Sequence, residues 1–107
     1  MTGIRRKKTE EDVASLEGLG RAVRSLRAKK GWNHVQVAER AGLDITTIYA
    51  VEGGAMELTW ANLRRLAEGL DVELNALIEL AEALAPGEGG ERWRRWSLAN
   101  ERKRDVG

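Results

Sequence analysis

From Trp32 onward one pattern of apolar and polar positions recurs along the chain. An apolar residue is followed by a position suited to start a helix, then three residues, then a second apolar residue. It reads Trp32-Asn33…Val37, Leu43-Asp44…Ile48, Leu58-Thr59…Leu63 and Val72-Glu73…Leu77. This is the hydrophobic staple, in which the residue before the cap packs on the fourth helical residue and fixes the angle at which the chain enters the helix. Asn33 with Gln36 adds a capping box; Asp44 and Thr59 are good caps and Glu73 a poorer one. Successive staples of this kind predict four short helices joined by short turns.

Upstream, Thr9 and Asp12 suit the start of an earlier helix. Val13, Leu16, Leu19 or Gly20, Val23 and Leu26 give it an apolar stripe at helical spacing. Gly18 and Gly20 argue against its continuity, and Lys29-Lys30-Gly31 mark its end. Trp32 and Trp60 follow the staple and helix pattern and are expected in the core. In the last stapled helix, Leu74, Ile78 and Ala81 form one stripe, while Leu77, Leu80 and Leu84 spread it round a second side. Such width reads either as half-buried excess or as a dimer seam, and the seam is the favoured reading. Residues 85–90 carry proline and glycines and read as a linker. Residues 91–107 form a C-terminal extension of helical character, with Trp93 and Trp96 three apart. That pair has three open uses: folding back on its own core, capping a dimer, or binding another protein.

Composition narrows the chemistry. At 107 residues, 42% hydrophobic and 33% charged, the chain suits one folded core. With no Cys, disulfides, zinc fingers and thiol chemistry are excluded. His34 is the only histidine and has no clustered carboxylates in sequence, so no metal, no cofactor and no enzyme activity is expected. Serines stand only at 15, 25 and 97, without a base spaced to activate them. The longest apolar candidate, Ala76 to Ala85, is interrupted by Glu79 and Glu82 and falls short of the ~18 residues that span a bilayer. Met1–Lys8 is basic but is followed by Thr9-Glu10-Glu11-Asp12 rather than an apolar stretch, so a cytoplasmic protein with no membrane contact is expected.

Net charge is only +1, but its distribution is uneven. Arg5, Arg6, Lys7 and Lys8 make a basic arm, and Arg92, Arg94, Arg95, Arg102, Lys103 and Arg104 a basic tail. Such ends are either solvated tails or phosphate-seeking arms.

The stretch with the sharpest signal is the tight pair Asn33–Arg40 and Asp44–Glu52, separated by Ala41-Gly42-Leu43. Glycine lets the backbone reverse, and small Ala38 and Ala41 allow close approach. With Ile48, Val51 and Leu43 facing the core, a helical rotation of 100° per residue puts Thr46, Tyr49 and Ala50 on the opposite side. That face suits hydrogen bonds to base edges and contact with thymine methyls; an ordinary surface face is the alternative.

Residues 19–80 resemble the phage-repressor/Cro type of helix-turn-helix protein, sometimes called the XRE family. The likeness rests on Leu19-Gly20-Arg21…Leu26-Arg27…Gly31-Trp32-Asn33 and on Val37-Ala38-Glu39-Arg40-Ala41-Gly42-Leu43 at the turn. It continues through Ile48…Glu52-Gly53-Gly54 and Leu63-Arg64-Arg65-Leu66-Ala67…Leu70-Asp71-Val72. The resemblance implies an all-α, five-helix, lambda-repressor-like domain over residues 9–84, preceded by the arm at 1–8 and followed by the linker and the C-terminal helical extension. It implies an ion pair between Arg27 and Glu52 joining the first and third helices. Asn33 and His34 match positions that approach the DNA backbone; Ile45, Thr46, Tyr49 and Ala50 match base-reading positions. Gly53 and Gly54 match a loop near phosphate, and Thr47 with Arg5, Arg6, Lys7 and Lys8 completes the expected phosphate contacts.

Two features depart from the family pattern. Between Ala41 and Leu63 there is no Lys or Arg, and Ala55-Met56-Glu57 stands where relatives often carry basic residues. The usual proline before helix four is also absent. Fewer phosphate contacts mean weaker binding and a shallower salt dependence unless the arms supply them.

The function implied is that of a transcriptional regulator, a repressor, binding a near-palindromic site in double-stranded DNA as a homodimer. Leu77, Leu80, Leu84, Trp93 and Trp96 are the expected dimer or partner contacts. The alternatives are an antitoxin whose C-terminal segment binds a toxin, and a protein–protein adaptor on the same fold.

Overall fold

Each of the five helices between residues 10 and 84 starts at a residue in extended conformation, and four of the five starts are closed by a side-chain oxygen. The computed structural model describes residues 8–87 together with Glu91, Arg95 and Leu98, and the described residues form helices and turns without strands. α1 spans Glu10–Lys30, α2 His34–Ala41, α3 Ile45–Glu52, α4 Trp60–Gly69 and α5 Leu74–Leu84. This is the all-α, five-helix architecture the sequence implied.

The caps are the ones legible in the sequence. The Thr9 hydroxyl oxygen accepts from the Asp12 N–H at 3.1 Å, and the Asp12 carboxylate accepts from the Thr9 N–H at 2.9 Å. Asn33 and Gln36 close α2 in the same reciprocal way, at 2.8 Å each. Thr59 accepts from the Asn62 N–H at 3.2 Å, whereas Glu73 makes no cap bond. Such caps satisfy N–H groups that would otherwise lack partners, each worth ~1 kcal/mol. Gly42 ends α2 with φ 67°, a left-handed conformation that turns the chain at once toward α3. The Leu43 N–H then returns to the Ala38 carbonyl at 3.0 Å.

α1 runs as one helix to Lys30, as its apolar stripe and its end at Gly31 implied, and is continuous through both glycines that weigh against it. The reason is tertiary. A Cβ on Gly20 would stand 2.6 Å from the Glu52 carbonyl oxygen and 2.7 Å from that of Val51, and one on Gly18 would strike the Ala81 carbonyl. The glycines let the ends of α3 and α5 lie directly on α1. Ala85, expected to open the linker, is buried in this contact at 5% exposure.

The core is built from Ala22, Val23, Val37, Ala38, Ile48, Val51, Leu66, Ala67, Leu70 and Leu77. Leu77 is wholly buried within the chain, which corrects its assignment as a dimer or partner contact: it sits at the centre of the α5 stripe, with no surface left. Leu80 and Leu84 are half-buried and pack on the same core. Trp60 is likewise corrected. It is 62% exposed, because Leu58 and Leu63 form the staple at this helix start and the first residue of α4 turns outward. Trp32 is half-buried, with the Arg40 guanidinium 4.0 Å and the Lys30 amine 5.6 Å from its ring centre. Arg40 also donates to the Gly69 carbonyl at 2.9 Å, and Arg21 to that of Leu84 at 3.1 Å. Two cations thus meet the free carbonyls at the C-terminal ends of α4 and α5.

Gly20→Ala should therefore destabilise the fold, although alanine favours helix by about 1 kcal/mol. Forcing the last turn of α3 outward costs about 1–3 kcal/mol, so a net loss is expected in thermal unfolding followed by circular dichroism. A higher unfolding midpoint would contradict the close approach of α1 and α3.

Candidate nucleic-acid interface

The rotation of α3 about its own axis is set from beneath. Ile48 and Val51 are buried, so Thr46 and Tyr49 lie exposed on the far side, with Ala50 half-buried beside them. Ile45, a predicted base-reading residue, is half-buried and packs against the core, which makes the exposed face narrower than the sequence implied. One Asp44 carboxylate oxygen accepts from both the N–H and the hydroxyl of Thr46, each at 2.8 Å. Thr46 is thereby held in one rotamer, its hydroxyl proton used and its oxygen lone pairs still able to accept. The same two bonds hold the Asp44 carboxyl below the usual carboxylate range.

At the other end of α3, Glu52 is buried and yet fully partnered. Arg27 Nε donates to Oε2 at 2.7 Å and Nη2 to Oε1 at 3.0 Å, while Nη1 donates to the Trp32 carbonyl at 3.2 Å. Burial pushes the Glu52 carboxyl up, but the Arg27 bonds and charge, and then His34, pull it down further, so it ends below its ordinary value. Arg27 is raised, chiefly by the bond to Glu52. The ion pair implied by the sequence is therefore present, in bidentate form.

His34 stands beside this pair. Its Nε2 lies 3.2 Å from Glu52 Oε1, and its ring stacks on Tyr49 with centres 4.2 Å apart and planes 22° from parallel. The backbone N–H groups of His34 and Val35, the first of α2, have no acceptor among the described residues and remain available to an anion. The Asn33 side chain and N–H are both used in the capping box. Thr47 is half-buried. Gly53 and Gly54, expected near phosphate, give their N–H groups to the Tyr49 and Val51 carbonyls, both at 3.0 Å, so their amides close α3 rather than face outward unpaired.

A sequence profile described as a helix-turn-helix domain matches residues 18–83. The chain belongs to the helix-turn-helix family. The crystal structure of the restriction-modification controller protein C.AhdI from Aeromonas hydrophila is similar to it, with a TM-score of 0.58 and 34% identity. That likeness covers 60% of this chain and 97% of that one. No curated protein sequence matches the chain. The resemblance read from residues 19–80 is thus borne out, and this helix-turn-helix protein is a DNA-binding regulator by family and by likeness to a controller.

One cation near α3 was missed from the sequence. Arg24 of α1 is 64% exposed and has Nε 3.6 Å from Glu52 Oε1. The signal was available: Arg24 lies three residues before Arg27, on the same helical face. Of the basic arm, Arg5, Arg6 and Lys7 lie outside the described residues, as do Trp93 and Trp96. Lys8 is exposed and shares a surface hollow with Asp12, Ala55, Met56 and Glu57, beside the loop that follows α3. Apolar surface remains where α1, α4 and α5 meet, in a hollow lined by Leu19, Leu58, Leu63, Ile78 and Ala81. Ile78 also lines a neighbouring cleft with Trp60. Among the described residues no group of acidic, His or Cys side chains is placed to hold a metal, and no helix is long and apolar enough to cross a membrane.

Arg27→Met should destabilise the helix-turn-helix protein by about 3 kcal/mol, the lower end for breaking a buried pair, because Arg24 and His34 stay near Glu52. Since the folded-state pKa of Glu52 lies below its unfolded value, this stabilisation is full above the unfolded value and is lost as pH falls through the folded one. Urea unfolding should show stability declining below about pH 4.3, and a shallower decline in Glu52→Gln. Identical pH slopes in the two proteins would refute the assignment.

Proposed function

We propose that this protein is a transcriptional repressor that binds a near-palindromic operator in double-stranded DNA as a homodimer and acts by occupying the promoter. The observation that carries this reading is the outer face of α3, where Thr46 and Tyr49 are exposed over a helix locked by Ile48, Val51 and the Arg27–Glu52 pair. A short helix held this firmly presents the same side chains to every site it meets, which direct readout in the major groove requires. The first N–H groups of α2 serve as a phosphate anchor beside it. Cations missing from residues 41–63 come from elsewhere in the chain. Arg24 stands by the end of α3, and Lys8, the last residue of the arm, lies beside Ala55-Met56-Glu57.

Two copies are needed because one recognition helix reads only a few base pairs. In a two-fold dimer the recognition helices enter successive major grooves about 34 Å apart. The burial of Leu77 moves the seam away from the centre of the α5 stripe. The apolar hollow around Ile78 and the exposed Trp60 support a seam along the edges of α4 and α5, where a large aromatic side chain acts as an anchor. In this organisation residues 9–84 form the DNA-binding domain, residues 91–107 extend it, and the protein works in the cytoplasm without chemistry of its own.

A gel shift with DNA from upstream of its own gene, at two salt concentrations, tests the reading. A specific, salt-sensitive complex is expected, and no complex at either salt would favour an adaptor. On the bound site, Thr46→Ala or Tyr49→Ala should reduce discrimination between sites by ~1–3 kcal/mol per lost base contact, with the fold intact. Unchanged sequence preference in both variants would remove α3 from base readout. Sedimentation at micromolar concentration should give a dimer, and Ile78→Asp a folded monomer with much reduced affinity for a palindromic site. A native monomer that still binds tightly would overturn the dimer.

A further inference from the structure

His34 matches a phosphate-approaching position, but its side chain in this structure is committed elsewhere. Its Nε2 faces Glu52 Oε1 at 3.2 Å, and the ring lies against Tyr49 in a near-parallel stack, 4.2 Å between centres. Glu52 is itself held in place, its side chain 4% exposed and gripped by the Arg27 fork. Tyr49, by contrast, is 55% exposed. A free aromatic side chain on a helix surface exchanges rotamers rapidly, and only one of them places the ring and its hydroxyl at a given base. The structure supplies a wall against that exchange, and the wall is the imidazole.

We infer that His34 is a positioning residue: tethered to Glu52, its ring holds Tyr49 in one orientation on the outer face of α3. The inference rests on the proposed reading of bases by Tyr49 and adds to it that α2 sets how α3 reads. Nε2 is in polar contact with the carboxylate at 3.2 Å while the face of the imidazole stays against the phenol ring. The chain from α1 to the reading face is then continuous: Arg27 fixes Glu52, Glu52 fixes His34, and His34 fixes Tyr49.

His34 and Tyr49 are the only histidine and the only tyrosine, so their ring signals are unambiguous in proton NMR of the whole protein. Cross-relaxation between the two rings is expected, with upfield-shifted Tyr49 ring protons that move back in His34→Ala. The functional readout is the affinity ratio between the operator and an operator altered at the base whose identity matters less in Tyr49→Ala. His34→Ala should shrink this ratio by about 3- to 10-fold, the effect of losing one aromatic stack. His34→Phe, which keeps a stacking ring without the tether, should recover most of the ratio. His34→Gln, which keeps a polar tether without a ring, should not, and its thermal midpoint separates positioning from loss of fold. Absence of the cross-relaxation would overturn the inference. So would a His34→Ala protein weakened equally on all sequences with an unchanged ratio, the signature of a phosphate contact. If Tyr49→Ala alone leaves sequence preference untouched while the ring contact is observed, base reading by Tyr49 fails and the positioning role falls with it.

Discussion

The fork between Arg27 and Glu52 is the joint on which this molecule depends. α3 has eight residues, too few to be stable as an isolated helix in water. It is held by Ile48 and Val51 from below and by Glu52 at its end. A buried carboxylate is tolerated only when paired and hydrogen-bonded, and here one planar guanidinium satisfies it while also closing on the Trp32 carbonyl. A single side chain of α1 therefore ties together the start of the second helix and the end of the third. Lysine would not replace it: a point charge cannot make three directed bonds in one plane.

The contact beside the fork has the same economy of space. Gly20 removes the Cβ that would hold α1 away from the carbonyls of Val51 and Glu52, and the guanidinium reaches its partner because the backbones are this close. Intrinsic helix preference is given up at Gly20 in return for tertiary contact, as often happens where two helices meet backbone to backbone.

The exposed face of α3 is separated from its support in this arrangement. The side chains that meet the outside on α3 are few and uncharged, and a carboxylate at Asp44 stands at its start. Positive charge beside this face belongs to other elements, to α1 and to Lys8 just before it. Arg24 sits near the last turn of α3, and Lys8 lies beside the loop after it. Charge far apart in sequence is close in space, so the count along residues 41–63 does not by itself describe this surface.

Local order was determined by the sequence itself. The capping boxes at Thr9 and Asn33, the caps at Asp44 and Thr59, and the reversal at Gly42 involve residues within four or five positions of one another, so chain connectivity brings the partners together whatever the rest does. The rotation of α3 was legible for a similar reason: apolar Ile48 and Val51 define an inside, and the outside follows from helical geometry. The Arg27–Glu52 pair, 25 residues apart, was legible only through resemblance to a family. What tertiary structure alone decided lies where several elements meet. Periodicity marks a residue as apolar-facing but not whether a neighbour or solvent covers it, so Leu77 and Trp60 were assigned to the wrong sides of the surface. Glycine in a helix reads as a break unless the neighbour that needs the space is known, as at Gly18 and Gly20. The stack of His34 on Tyr49 carries no sequence signature at all. It exists because α2 and α3 are brought together by the turn at Gly42 and by the core beneath them, in which Val37 and Ala38 meet Ile48 and Val51, and those are properties of the packed molecule rather than of any segment of its chain.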